Sequence, residues 1–327
     1  MGRGELPIAS QEARFERQAC DAVNCGIMKW ILGLDLGPRS RGALQFARWI
    51  AEATHGSDDF VAVHVLDVDH LWGVLKYHHL SEIIEVANAA AHRELERAWP
   101  GGSLPVIEVR QALTVEDGLA EARARHRAEG LVIGRAASTE GHHLVRLGRV
   151  ARRVLRQLAS PVVIAPPDLV AADIGGGAVT ALSALTDDST EACRFAAAFA
   201  ERAARPLALA HVANDPRLDA AAHIPRSTLD RMAADFAAAG RAELPHWLEV
   251  NDLRPMVAIV LQGDLVSSAL AFADVQRAPF VVVGAHAPTG LDRVFAPSVG
   301  RELAAVSRVP VAIVPPVGSA EIRHARP

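Results

Sequence analysis

An aspartate and two glycines in the first half of this sequence stand at the ends of predicted strands and at the start of a predicted helix. Asp35 lies near the end of the apolar run 30–36, Gly134 closes the run 130–134, and Gly148 precedes an arginine-rich segment with helical spacing. Glycine lets backbone N–H groups approach phosphate oxygens, and a helix N-terminus adds a favourable dipole for negative charge. We predict that these residues border the ligand crevice that lies beyond the carboxyl ends of parallel strands.

A second set of residues repeats this order later in the chain, but fewer of them offer hydrogen-bonding groups to a ligand. Gly284 and Ser298 keep two positions of the pattern, whereas Ala184, Ala287 and Pro297 occupy the others. Alanine cannot accept a hydrogen bond, and proline has no N–H to donate. The second set therefore predicts a weaker site.

Two simpler roles compete with these assignments. Glycine also serves to turn a chain out of a strand, which would account for Gly134 and Gly284 without a ligand. Asp187 and Asp188 lie close to the missing carboxylate of the second set. We expect them instead to cap a helix that starts near Ser189.

Short apolar runs alternate with longer Ala-, Arg- and Glu-rich stretches along the chain, which predicts βαβ units. Strands that are apolar on nearly every residue are typical of parallel sheets buried on both faces. Each half is predicted to be a doubly wound, Rossmann-like α/β domain with a five-stranded parallel sheet in the order 3-2-1-4-5. The predicted strands are 30–36, 60–68, 106–113, 130–134 and 161–167, then 179–185, 206–213, 246–253, 279–284 and 310–316.

The two halves are a duplication, because similar segments recur at nearly constant offsets. The matches are SRGALQFA at Ser40 with STEACRFA at Ser189, AVHV at His64 with LAHV at His211, and PVVIAPP at Pro161 with PVAIVPP at Pro310. An apolar edge strand needs cover, so we predict that the last strands of the two halves pair across an internal pseudo-two-fold.

These repeats divide the chain into two domains with three connecting or terminal segments. Residues 168–177 contain a glycine cluster and are predicted to be a flexible linker. The predicted divisions are an N-terminal arm (1–27), domain 1 (28–167), the linker (168–177), domain 2 (178–316) and a polar tail (317–327).

Composition narrows the classes of partner. The 34 Lys and Arg against 38 Asp and Glu give a net charge of −4, which argues against nucleic-acid binding. Cysteines at 20, 25 and 193 form neither a disulfide framework nor a zinc pattern, and the histidine pairs 78–79 and 142–143 lack further ligands at suitable spacing, so no metal site is predicted. No run resembles a membrane span or an export signal, so we expect a cytoplasmic protein without a membrane partner.

The layout of strand, glycine turn, glycine-led helix and final apolar strand resembles tandem members of the universal stress protein family over 28–167 and 178–316. The resemblance implies ATP or AMP, with or without Mg²⁺, held by an Asp after the first strand, by backbone beside the second and by the glycine motif. Ala137, Arg149 and a ten-residue interval (138–147) depart from the family motif and are expected to alter binding. The residues implied are Leu34, Asp35, Val65, Ile133, Gly134, Gly148, Arg149 and Val150, and at the weaker site Val212, Val283, Gly284, Ser298 and Val299.

By the same resemblance the protein is a stress-response nucleotide-binding or regulatory module, and its strand histidines His64 and His211 are satisfied core or crevice groups. Its halves are expected to form an intramolecular pseudo-dimer, and two chains a homodimer. Two alternatives stay open. One is an interaction or dimerisation protein of the same fold that binds no nucleotide. The other is a slow ATP hydrolase, for which the sequence offers no general base or water-positioning residue.

Overall fold

The computed structural model describes residues 28–100, 103–136, 147–214, 224–285 and 299–316. The predicted arm and tail lie outside these residues, as do Ala137, His142, His143, Ala287, Pro297 and Ser298. The first half contains β1 (Lys29–Leu34), α1 (Arg41–Ala53), β2 (Asp59–Asp67), α2 (Val68–Leu71), α3 (Leu80–Ala98), β3 (Val106–Ala112), α4 (Val115–His126), β4 (Gly130–Gly134), α5 (Arg149–Arg156) and β5 (Val162–Ala165). The second contains β6 (Val179–Ser183), α6 (Asp187–Arg202), β7 (Leu207–Asn214), α7 (Arg226–Val250), β8 (Val257–Gly263), α8 (Leu265–Val275), β9 (Val281–Gly284), α9 (Val299–Val306) and β10 (Val311–Val314).

The strands form a single ten-stranded sheet in the order β3-β2-β1-β4-β5-β10-β9-β6-β7-β8. Each half has the predicted order 3-2-1-4-5 with parallel neighbours, and the two halves meet where β5 and β10 pair antiparallel. The predicted pairing of the last strands is confirmed. This pairing covers the apolar edge strand that each half would otherwise expose.

One predicted strand is wrong. Residues 246–253 do not form a strand, because α7 runs to Val250 and the true strand of this unit is β8, from Val257 to Gly263. Trp247 is buried and Leu248 packs against the core, so this part of α7 has a helical apolar stripe that a short apolar run does not distinguish from a strand.

Two hydrophobic cores cover the two faces of the sheet, and each contains residues from both halves. On one face, Trp49 of α1 stacks on Phe199 of α6 with ring centroids 6.0 Å apart, and Phe46 of α1 lies 5.6 Å from Phe280, which directly precedes β9. The two halves therefore share their cores instead of forming separate ones.

The glycine cluster between the halves is packed, which argues against its predicted flexibility. The N–H of Gly177 donates to the Arg277 carbonyl at 2.9 Å, and a Cβ on Gly175 would lie 2.6 Å from the Ala278 carbonyl oxygen. Ile174, just before the cluster, is buried in the shared core. Glycine is needed here because two backbone segments approach closely.

The duplication extends to individual backbone angles. Three pairs of non-glycine residues have left-handed φ at matching places in the two halves: Leu36 (55°) with Leu185 (57°), His55 (54°) with Ala204 (49°), and Arg127 (52°) with Arg277 (49°). Left-handed φ costs energy for residues with a Cβ. Its repetition shows that the turns after β1, α1 and α4 are rebuilt in the second half.

Candidate functional site

The crevice of the first half opens at the carboxyl ends of β1 and β4. These strands are neighbours, and the chain leaves β1 toward β2 on one side and returns as β4 on the other. Such a reversal of strand order separates the connecting loops and leaves a crevice for ligands. β1 ends at Leu34, opposite His64, whereas β2 continues to Asp67 and forms one wall of the crevice.

Asp35 stands at the mouth of this crevice with an exposed carboxylate. Its Oδ1 accepts hydrogen bonds from the Gly37 N–H at 2.8 Å and from the Ser40 hydroxyl at 2.7 Å. These bonds hold the 3-10 turn Pro38–Ser40 that leads into α1. Within the described part of the chain, Oδ2 makes no hydrogen bond, so one charged acceptor faces outward.

Gly134 is required by packing. A Cβ at this position would lie 2.8 Å from the Arg39 carbonyl carbon and closer still to its oxygen. The end of β4 therefore lies directly against the turn that Asp35 holds. Gly284, its counterpart, is less crowded, with a Cβ placed 3.0 Å from the Asp188 carbonyl oxygen. Neither glycine has positive φ. Close packing against the neighbouring backbone therefore accounts for both glycines without a ligand, and the predicted turn does not by itself require glycine.

The two described ends of the glycine motif come together. A Cβ on Gly148 would lie 3.0 Å from the Cβ of Ala136. Gly148 is the N-cap of α5 and offers no side chain to the first N–H groups of that helix. Arg149, the first helical residue, is exposed, and Val150 is half-buried. An uncapped helix start beside an exposed cation suits an anionic ligand.

The apolar residues Leu34, Val65 and Ile133, which were predicted for this site, have buried side chains and can offer a ligand only their backbone. Leu34 is buried, and its carbonyl accepts a hydrogen bond from Nδ1–H of His64 at 2.9 Å. Val65 lies inside β2 with its side chain beneath Gly118, and Ile133 is buried against Gly33. His64 is thus a satisfied crevice group, as predicted, and so is His211, whose Nδ1 lies 2.9 Å from the Ser183 carbonyl oxygen.

The second crevice stabilises its turn with hydroxyls instead of a carboxylate. Ser183 Oγ accepts from the Leu185 N–H at 2.9 Å and lies 3.1 Å from Ser189 Oγ, while exposed Ala184 stands in the place of Asp35. Val212 and Val283 are buried, and Val299, half-buried, begins α9. This crevice presents no carboxylate at the position equivalent to Asp35.

The predicted capping role of Asp187 and Asp188 needs correction. α6 begins at Asp187, and its N-cap is Thr186, which forms a capping box with Ser189. The two aspartates therefore occupy the first turn. There their negative charges complement the positive end of the helix dipole, but they do not cap the helix.

Sequence reasoning missed Arg135, which follows Gly134 directly. Its guanidinium donates to the carbonyls of Ala304 at 2.9 Å and Ala305 at 2.5 Å, at the C-terminus of α9 in the other half. Burial lowers the pKa of Arg135, and the carboxylate of Asp168 opposes this shift. The signal available in the sequence was an arginine inside the glycine motif where the second copy has Ala285.

The part of the chain that the structure describes has neither a metal-binding cluster nor a membrane-spanning helix. No group of three or more His, Cys, Asp or Glu side chains in the described ranges is arranged to hold a metal ion. Of the helices that the structure describes, none is both long and apolar enough to cross a membrane.

Comparison with known proteins identifies the repeated unit. The model of the universal stress protein family matches residues 27–166 and 180–315. A universal stress protein from Archaeoglobus fulgidus is similar in structure, with 16% identity, a TM-score of 0.56, and coverage of 88% of this chain and 98% of its own. A putative universal stress protein from Pseudomonas aeruginosa has 12% identity and a TM-score of 0.59 over 91% of this chain and 96% of its own. Among curated proteins, none matches the sequence.

Proposed function

Because this chain belongs to the universal stress protein family, we propose that it is a tandem stress-response module whose first crevice binds an adenine nucleotide. ATP or AMP would be the ligand, with or without Mg²⁺, and binding would serve regulation instead of turnover. The observation that carries this proposal is the exposed Asp35 carboxylate, one oxygen of which makes no hydrogen bond to the residues that the structure describes. It lies at the crevice that the start of α5 also borders, where the N-cap Gly148 has no side chain to cap the helix.

The chemistry of these groups suits the two ends of a nucleotide. A carboxylate oxygen accepts hydrogen bonds from hydroxyl or amino groups, as ribose and adenine present them. The N-terminus of α5 and Arg149 provide N–H donors and positive charge for phosphates. The second crevice has Ala184 in place of the carboxylate, so we assign one nucleotide to each chain.

Calorimetric titration of the full chain with ATP and with AMP tests the proposal. Asp35→Asn is the informative variant, because the amide oxygen can still accept from Gly37 and Ser40 while the charge is removed. We expect it to lose about 1–3 kcal/mol of binding free energy, the range for a hydrogen bond to a charged group. Glu249→Gln, which removes an exposed carboxylate in α7, is the matched control and should bind like the parent. Unchanged affinity in Asp35→Asn would contradict the assignment.

A second function has its own support. Gly134 and Gly284 are accounted for by backbone packing, so their presence does not require phosphate. A protein of this fold that binds no nucleotide and acts through its surfaces is the second candidate. Mass spectrometry of the supernatant after denaturing the purified protein separates the two, because a bound adenine nucleotide would appear only if the crevice is used.

A further inference from the structure

The two outer strands of the ten-stranded sheet are equivalent in the duplication but differ in chemistry. The strand histidines set the alignment: Val109 pairs with His64 in the first half, and Val260 pairs with His211 in the second. Glu108 and Arg110 of β3 therefore correspond to Ile259 and Leu261 of β8. The same fold position is charged at one end of the sheet and apolar at the other.

The charges of β3 belong to a network that continues onto α4. Arg110 lies 3.0 Å from Glu108 and 2.5 Å from Glu121, and His126 lies 2.5 Å from the second oxygen of Glu108. Arg125 approaches Glu108 from outside at 3.6 Å. Charged side chains that point inward on an edge strand oppose pairing with another chain, since pairing would bury them further.

No member of this network has a charged counterpart in the second half. The turns after α4 and α8 align Arg127 with Arg277, both with left-handed φ. In that alignment Glu121, Arg125 and His126 become Ala271, Val275 and Gln276.

Large apolar side chains lie exposed around β8. Val275 is 78% exposed where Arg125 stands in the first half, Met256 just before β8 is 66% exposed, and Val250 at the end of α7 is also 66% exposed. Ile259 and Leu261 of β8 itself are half-buried and pack against the core. We call these two residues, together with Val250, Met256 and Val275, the β8 flank. Within the described residues no strand pairs with the outer side of β8, so a seven-residue edge strand stands open beside this flank.

We propose that the β8 flank is the interface between two copies of this chain, with the β8 strands of the two copies pairing antiparallel. A two-fold arrangement lets the same surface serve both partners. The charged edge at β3 excludes the competing arrangement, in which β8 of one copy pairs with β3 of the next. Such head-to-tail pairing would bury Glu108 and Arg110 and would repeat without end. Val106 and Leu113 at the two ends of β3 are also exposed, by 66% and 71%. The charges of Glu108 and Arg110 therefore make the difference between the two edges, and they favour a closed dimer through β8 over a filament.

Sedimentation equilibrium of the full chain at several concentrations tests the interface. The parent should have twice the 34.8 kDa mass of one chain. Ile259→Glu with Leu261→Arg, which transfers the β3 pair to β8, should be monomeric. Val275→Arg changes an exposed residue, so folding is not at risk, and it should raise the dimer dissociation constant at least about tenfold, equivalent to roughly 1.4 kcal/mol. Val86→Arg, at a 68% exposed valine of α3, is the matched control and should leave that constant unchanged.

The reverse exchange gives an independent test. Glu108→Ile with Arg110→Leu opens the second edge and should yield assemblies larger than a dimer. Hydrogen exchange should show that the amides of β8 become better protected as the parent concentration rises, while those of β3 do not. A parent that is monomeric throughout would overturn the proposal, as would a dimer that survives both β8-flank variants. Dimerisation only after removal of residues 1–27 or 317–327 would also overturn the proposal, because a segment of the same chain, and not a second copy, would then cover β8.

Discussion

Gly134→Ala offers a direct test of why a glycine stands at the end of β4. The added Cβ would lie 2.8 Å from the Arg39 carbonyl carbon and closer to its oxygen, so backbone must move to admit it. Overpacking costs about 1–3 kcal/mol where side chains can adjust, and more where they cannot. Removing glycine also restricts the unfolded chain, which offsets about 0.4–1 kcal/mol. We expect a net loss of at least about 2 kcal/mol in the free energy of unfolding.

The second half supplies the matched control. In Gly284→Ala the nearest atom, the Asp188 carbonyl oxygen, lies 3.0 Å from the new Cβ, so a shift of a few tenths of an ångström relieves the contact. The offsetting restriction of the unfolded chain is the same, and the unfolding free energy should change by less than about 1 kcal/mol. Urea denaturation followed by circular dichroism measures both variants, with an unchanged slope taken as the sign that the unfolded reference is comparable.

The outcome distinguishes packing from ligand binding. If Gly134 served only to let phosphate approach, Gly134→Ala would unfold like the parent and lose only nucleotide affinity. Equal losses of stability in Gly134→Ala and Gly284→Ala would likewise refute the reasoning, since the two positions differ in the distance to the neighbouring backbone.

Three further predictions concern buried polar groups. Arg135→Ala should lower the unfolding free energy, measured in urea, by about 1–3 kcal/mol, because the C-terminus of α9 loses charge-assisted hydrogen bonds. The loss is limited to this range because the variant no longer buries a guanidinium. Asp58→Ala should cost about 3–5 kcal/mol, because it leaves the buried Arg202 of the other half unpaired; Asp59→Ala, which breaks an exposed pair, should cost less than about 1 kcal/mol in the same assay. Burial raises the pKa of the Cys193 thiol to about 12 from 9.0, so the folded state retains a proton that the unfolded state releases between these values. Stability should therefore fall as pH rises from about 9 to about 12, and Cys193→Ala should reduce that slope in denaturation curves measured across this range.

The matched last strands show how far sequence reasoning reached for the fold. PVVIAPP and PVAIVPP are apolar on nearly every residue, which predicted both that they are strands and that each needs a partner at its open edge; β5 and β10 pair as expected. The third strand of the second half was misplaced because the end of α7 carries a helical apolar stripe that a short window cannot separate from a strand. β8 lies a few residues beyond it, after Pro255.

The sequence predicted where the candidate residues lie in the fold, but not the contacts that they make. Asp35 and Gly148 lie where the strand order places them, at the carboxyl edge of the first half. The competition for Asp35 from Gly37 and Ser40, and the crowding of Gly134 by Arg39, depend on how closely the turn after β1 approaches β4. The distance between the turn after β1 and the end of β4 depends on tertiary packing, and no short sequence pattern predicts it.

The sequence by itself determined the duplicated α/β architecture, the pairing of the halves and the lack of a carboxylate at Ala184 in the second crevice, because these depend on apolar periodicity and on residue types within short windows. Only the tertiary structure decided that the halves share two cores, that Arg135 reaches the far end of α9, and that Glu108 and Arg110 form a network where Ile259 and Leu261 leave an apolar edge. Arg135 and its acceptor Ala304 lie 169 residues apart. Contacts across such a distance follow from how the two halves dock, and the free energy of that docking is spread over many side chains.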